Sequence, residues 1–308
     1  MNIDPRVLSD SERVELRLRS LYYSAGYRPY RMSRFEPYDL YAQNRSFIAG
    51  DRILTFTDRG GKLMALRPDV TLSIIKNYRG GEQKIYYSER VYRDDGETHE
   101  LREIPQTGIE RIGSIDLEAQ CEVLTLAADS LALISPDYLL DIAHVGVLTG
   151  LLAATNTDET AKAALLEALR GKNAHRVRAV AGEKGLSSAL TETWAVLATL
   201  YGSADETLPR LEQLCRNDEM RAATASLAAL CAALGTGIHA PRVDFSILSD
   251  LRYYNGVVFK GYVPGVYRDL LSGGRYDGLV EKLGKHSGAI GFAVYLDRLP
   301  RDERRTDA

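Results

Sequence analysis

Tyrosine divides this chain into two kinds of material. Of its 18 tyrosines only Tyr201 falls between residues 151 and 240, a stretch crowded with alanine and leucine that also holds the sole tryptophan, Trp194. Alanine and leucine favour helices whereas tyrosine, valine and isoleucine suit a pleated surface, so this stretch reads as a helical segment. β patterning lies on both sides of it. Upstream, residues 52–66 carry two strand-like runs around Asp58-Arg59-Gly60-Gly61, a hairpin signal. Residues 84–92 and 102–113 are strand candidates flanking a charged loop at 93–100, and 138–143 is another strand. Downstream, 243–248, 257–263 and 289–295 return to the same pattern. Two amphipathic helices are also legible. One spans 9–26, opened by the capping-box pair Ser9 and Glu12 and stopped at Gly26; the other spans 117–133, with Val123, Leu124, Ala127, Ala128 and Leu131 on one face. The expectation is an α+β core on a largely antiparallel sheet, residues 1–150 and 241–300, interrupted by a helical insertion at 151–240 and followed by a frayed tail at 301–308.

The remaining composition narrows the function classes. With 39 Lys+Arg against 42 Asp+Glu, a formal net charge of −3, no global basic field would attract a polyanion. Cys121, Cys215 and Cys231 are odd in number and form no C-x-x-C pair, which argues against a disulfide framework or thiolate zinc site and fits a reducing cytoplasm. Met1-Asn-Ile-Asp-Pro5 is no signal peptide, and no apolar run approaches the roughly 18 residues of a membrane span. His99, His144, His175, His239 and His286 are scattered without metal-ligand spacing, and neither a Gly-x-Ser-x-Gly elbow nor a Walker A loop is present. The chain is therefore expected to be cytoplasmic, with no membrane attachment, metal or cofactor.

Four segments carry residue types suited to a ligand. In Ala65-Leu-Arg-Pro-Asp-Val-Thr71, Pro68 ends a strand and Asp69 and Thr71 follow; they either meet a ligand ammonium or cap the helix suggested at 72–78. In Gln106-Thr-Gly-Ile-Glu110, period two puts Gln106, Gly108 and Glu110 on one strand face, as acceptors for a ligand with N–H donors or as a solvated outer face. Tyr253 and Tyr254, before Asn255-Gly256, could wall a small polar ligand or form a core edge and turn flank. In Ser272-Gly-Gly-Arg-Tyr-Asp-Gly278 the paired glycines permit close backbone approach, and Arg275, like the later Arg298, could face an anion.

In this order, Leu66-Arg-Pro-Asp-Val-Thr71, Tyr253-Tyr-Asn-Gly-Val-Val-Phe259 and Gly273-Gly-Arg-Tyr-Asp-Gly-Leu-Val280 resemble the catalytic core of histidyl-tRNA synthetase, a class II aminoacyl-tRNA synthetase, from about Ser9 to Arg298. The resemblance implies an antiparallel sheet with surrounding helices, a core that dimerises, and a histidine pocket. Asp69 would hold the ligand ammonium with Thr71 beside it. Gln106, Tyr253, Tyr254 and Tyr276 would surround the amino acid, and an ionised Glu110 would accept the imidazole N–H. Arg93 falls where the second-motif arginine grips carboxylate and α-phosphate, and Arg298 where the third-motif arginine packs on adenine.

The same comparison implies a degenerate ATP site over Arg93, Ile104, Ser249, Arg275, Tyr295 and Arg298. Ser249 stands in place of an arginine in Ser249-Asp-Leu-Arg-Tyr-Tyr254, a loss that typically costs about 10²–10³ in rate. Ile104 replaces an adenine-stacking phenylalanine, Tyr295 a glycine, Ser33 a first-motif proline and Asp95 a longer glutamate. An anticodon-binding domain is not expected after Arg298, so no tRNA partner is expected. These departures, the Arg-Pro-Asp form of the first segment and Ile142-Ala-His-Val-Gly146 are similar to a paralogous family, the regulatory subunits of ATP phosphoribosyltransferase. That resemblance implies a non-catalytic subunit, a homodimer through its core, assembled with a short-form catalytic subunit in the first step of histidine biosynthesis and bound by L-histidine as feedback effector. The competing expectation is a truncated synthetase-like enzyme that forms histidyl-adenylate.

Overall fold

The computed structural model describes residues 7–44, 53–94, 100–235, 240–248, 251 and 253–300. In chain order the elements are α1 (Asp10–Ser24), β1 (Arg28–Pro29), β2 (Phe35–Pro37), α2 (Asp39–Ala42), β3 (Thr55–Thr57), β4 (Leu63–Leu66), α3 (Val70–Asn77), β5 (Gln83–Asp94), β6 (Leu101–Gly113), α4 (Leu117–Ile134), β7 (Leu139–His144) and α5 (Val145–Ala154). There follow α6 (Glu159–Arg170), α7 (Ala174–Glu183), α8 (Ser188–Leu197), β8 (Tyr201–Gly202), α9 (Ala204–Leu214), α10 (Asp218–Leu234), β9 (Arg242–Asp244), β10 (Val257–Tyr262), β11 (Leu271–Arg275), α11 (Asp277–Lys282) and β12 (Gly288–Tyr295).

Nine strands form one sheet in the order β1-β5-β6-β12-β11-β10-β7-β9-β8, antiparallel except at β1/β5 and β7/β9, and β2-β4-β3 form a small second sheet. This is the α+β arrangement expected from the sequence, a largely antiparallel sheet with surrounding helices. One face of the large sheet meets α1, α4 and the helical block through a single apolar cluster that includes Leu18, Val123, Phe259, Phe292 and Trp194. The opposite face, with Ile85, Tyr87, Ile112 and Ala289, is covered by α3 and α11.

Local chemistry sets the element ends. Ser9 and Glu12 form the expected capping box at α1, their side chains meeting each other's backbone N–H. His144 opens α5 by accepting the Gly146 N–H through Nδ1 at 3.1 Å, so the helix runs straight through residue 150 and the compositional border lies inside it. Tyr201–Gly202 pairs with β9, so the helical stretch contributes an edge strand to the sheet. The strand expected at 243–248 stops at Asp244, whose carboxylate accepts the Ser246 N–H at 2.9 Å and turns residues 245–247 into a 3-10 helix. Ser272-Gly-Gly-Arg, read from sequence for its glycines, is the strand β11. Asp95, most of the 93–100 loop and the 301–308 tail lie outside the described residues. Among the described residues no helix is long and apolar enough to cross a membrane.

Candidate functional site

The covered end of the sheet hollows into a cavity because the small residues Gly108, Gly274, Gly291 and Ala293 stand between the larger side chains. Register places Glu110 opposite Gly291, and Gly291 opposite Gly274. The next row on the same face runs Tyr87, Gly108, Ala293, Ser272, and the row after it pairs Gln106 with Tyr295. The glycines are required. A Cβ on Gly291 would lie 1.8 Å from Glu110 Oε2, and one on Gly108 would lie 2.1 Å from the Phe292 carbonyl oxygen and 2.7 Å from the Tyr87 hydroxyl. The resulting cavity, about 290 Å³, is at the small end of the roughly 300–1,000 Å³ usual for small-molecule sites.

The roof is the turn from β4 into α3, held by Arg67. This fully buried guanidinium donates to Ser33 O at 2.8 Å, Arg90 O at 2.9 Å and Glu89 Oε2 at 2.8 Å. Asp69 next caps α3, its Oδ1 accepting the Leu72 N–H at 2.8 Å, while Oδ2 stands 3.9 Å from Arg93 Nη2. Capping and pocket lining thus coexist in one carboxyl group. Burial pushes the Asp69 pKa up, and the Arg93 charge opposes that push.

Glu110 is 2 % exposed and accepts hydrogen bonds from Thr71 Oγ1 at 2.7 Å and from the Tyr276 hydroxyl. Burial nevertheless raises its pKa to about 8, with a further push from Asp69. The two hydroxyl donors favour the ionised form expected from the sequence, and removal from water opposes it, so a ligand that uses Glu110 as a carboxylate works against that burial. Tyr253 and Tyr254 pack edge to face at a 4.8 Å ring separation, and Tyr253 lies 5.8 Å from the Tyr276 ring. Together they make an aromatic wall.

All eight residues expected around an amino acid, Asp69, Thr71, Arg93, Gln106, Glu110, Tyr253, Tyr254 and Tyr276, line this one cavity. The expected nucleotide set is not brought together. Arg93 and Tyr295 line the cavity, but Ile104 does not: it is half-buried on β6 and packs against the apolar cluster under α3 and α11. Arg275 is corrected outright: alternation along β11 turns it to the opposite face, where Nε donates to Asp277 Oδ2 at 2.8 Å and Nη1 to Ile115 O at 2.9 Å. Arg298 stands over the Tyr295 ring, 3.9 Å from its centroid, and donates to Asp269 O at 2.6 Å. Ser249 lies outside the described residues. Tyr87 and Ser272 also line the cavity and escaped the sequence reading. Alternation along β5 puts Tyr87 on one face, but only its pairing with Gly108 reveals that this face is the pocket.

Chemically, the cavity offers carboxyl oxygens at Asp69, a guanidinium at Arg93, and a deeper carboxyl at Glu110 flanked by hydroxyls and rings. That set complements a zwitterionic amino acid whose side chain donates an N–H. Among the described residues no group of three or more His, Cys, Asp or Glu is placed to hold a metal ion.

Residues 1–299 match the family model described as histidyl-tRNA synthetase. The ATP phosphoribosyltransferase regulatory subunit of Moorella thermoacetica is 31% identical over 296 residues, covering 93% of this chain and 76% of the relative. An ATP phosphoribosyltransferase regulatory subunit/histidyl-tRNA synthetase from Bacillus halodurans superposes with a TM-score of 0.85 at 24% identity, over 97% of this chain and 80% of that one. A chain of the ATP phosphoribosyl transferase (HisG:HisZ) complex from Thermotoga maritima superposes with a TM-score of 0.72 at 19% identity, over 94% of this chain and 97% of that one. At these identities the two structures speak to the fold.

Proposed function

This chain belongs to the histidyl-tRNA synthetase family and, within it, to the ATP phosphoribosyltransferase regulatory subunits, and we propose on that premise that it serves a short-form catalytic subunit as a histidine-binding regulator. It is a regulatory subunit in the first step of histidine biosynthesis; catalysis of phosphoribosyl transfer, a glycosyl transfer, rests with the partner. The reading places it in the cytoplasm, as a homodimer through its synthetase-like core within a larger hetero-oligomer.

The observation that carries the histidine assignment is the convergence of Asp69, Thr71, Gln106, Glu110, Tyr254 and Tyr276 on a cavity of amino-acid size. Asp69 suits the ammonium, Arg93 the carboxylate, and Glu110 the imidazole N–H once its proton has left. Feedback then requires histidine to bind two states of the assembly unequally, since equal affinity shifts nothing.

Two measurements test the proposal. Adding the chain to a short-form catalytic subunit is expected to raise phosphoribosyl transfer, and calorimetry is expected to show L-histidine binding that Asp69→Asn weakens by at least about tenfold, the loss of a charge-assisted contact. No gain in transfer removes the activator role; no histidine binding to the chain or complex removes the sensor role. Histidine-dependent ATP–pyrophosphate exchange abolished by Arg93→Ala would instead establish the adenylate-forming reading.

A further inference from the structure

The cavity floor is level for two rows of the sheet and then rises. Opposite Glu110 and Gly108 the strand β12 presents Gly291 and Ala293, a hydrogen and a methyl; opposite Gln106 it presents the phenol of Tyr295. That ring is held from behind. The Arg298 guanidinium covers it at 3.9 Å from the centroid and is tied through Nη1 to Asp269 O at 2.6 Å and Asp269 Oδ2 at 3.2 Å. The Tyr295 N–H is fixed to Leu270 O at 2.9 Å, so the main chain below the ring is fixed as well.

Arg93 is fixed too, with Nε donating to Pro68 O at 2.8 Å, and its charge acts on Tyr295 across the cavity. A ligand with its N–H donor at Glu110 and its ammonium at Asp69 would turn its carboxylate toward Arg93, whose charge acts on Tyr295, another residue of the cavity lining. On that placement, a group joined through the carboxyl carbon would extend toward the Tyr295 ring. We infer that Tyr295, clamped by Arg298, is a specificity-determining gate that admits an amino acid with a free carboxylate and rejects one extended through its carboxyl carbon. This rests on the amino-acid reading of the pocket and adds to it the class of ligand excluded.

The test compares L-histidine, L-histidinamide and the N-benzylamide of L-histidine by calorimetry. The two amides share a charge and differ only in what extends past the carboxyl carbon. The ratio of N-benzylamide to L-histidine affinity is expected to rise at least about tenfold in Tyr295→Ala relative to the unaltered protein, the scale of relieving an overpacked contact. The corresponding ratio for the small amide is expected to change less than about threefold, and Tyr295→Phe, which keeps the ring, is expected to leave both ratios in place. If the N-benzylamide ratio stays unchanged in Tyr295→Ala, including absence of binding in both proteins, the gate is overturned. Failure of L-histidine itself to bind the unaltered protein is a different result and removes the pocket reading instead. Should circular dichroism show Tyr295→Ala unfolded, Tyr295→Leu, which stays apolar but lacks the far half of the ring, carries the same comparison.

Discussion

Burial sets Glu110 against the carboxylate form that an N–H donor would favour. Its native pKa of about 8 exceeds the ordinary carboxyl value of 4.5, so between those limits the folded chain binds more protons than the unfolded one. Its effect on stability is therefore fully favourable below pH 4.5, weakens as pH rises toward 8, and is constant above. Glu110→Gln is expected to flatten this dependence, seen as a urea midpoint that falls less than that of the unaltered protein between pH 5 and pH 8. Histidine binding, if it draws on Glu110 as a carboxylate, is expected to release protons at pH 7 and to strengthen with pH toward 8, by at most about tenfold per unit. Calorimetry in two buffers of different ionisation heat reads the release; no proton exchange at pH 7 would contradict it. At this scale Gln106 and Glu110 were legible because period-two spacing states which residues share a face. Arg275 was misplaced because a glycine-rich run conceals its strand, and with it the alternation that turns the arginine away.

Arg67 acts between elements, joining the end of β4 to the chain at Ser33 and to β5 at Glu89 and Arg90. Arg67→Ala leaves the partly buried Glu89 and the carbonyls of Met32, Ser33 and Arg90 without this donor and is expected to cost about 3–5 kcal/mol, read as a lower urea midpoint. Arg67→Lys is expected to recover only part of that loss, since one ammonium cannot span the four acceptors that the planar fork reaches. Most of the elements could be read from sequence because their signals are local: a capping box at α1, Asp58 through Gly61 between β3 and β4, and apolar spacing along α4. What could not be read depends on partners distant in sequence. β11 carries no strand signal because Gly273 and Gly274 are small for a tertiary reason: a Cβ on Gly273 would lie 2.4 Å from Gly291 O, and one on Gly274 2.6 Å from the Tyr254 ring. The early end of β9 follows from the Asp244 side chain capping its own following turn.

At the scale of the molecule, the helical block is continuous with the core. α5 crosses the compositional border, β8 extends the main sheet, and Trp194 belongs to the same apolar cluster as Leu18 and Phe259. The two regions are therefore expected to unfold together. Trp194 reports on the block alone and 17 of the 18 tyrosines lie outside it, so urea transitions followed by tryptophan fluorescence and by near-ultraviolet tyrosine signals are expected to coincide; separated midpoints would show two independent units. Strand β12 gives this continuity its sharpest form. Gly291 and Ala293 look into the pocket while Phe292, between them, packs among the helices behind. The sheet is a partition one residue thick, and both rooms share its studs: a ligand that shifts β12 moves the far wall in the same motion, without a hinge or a relay.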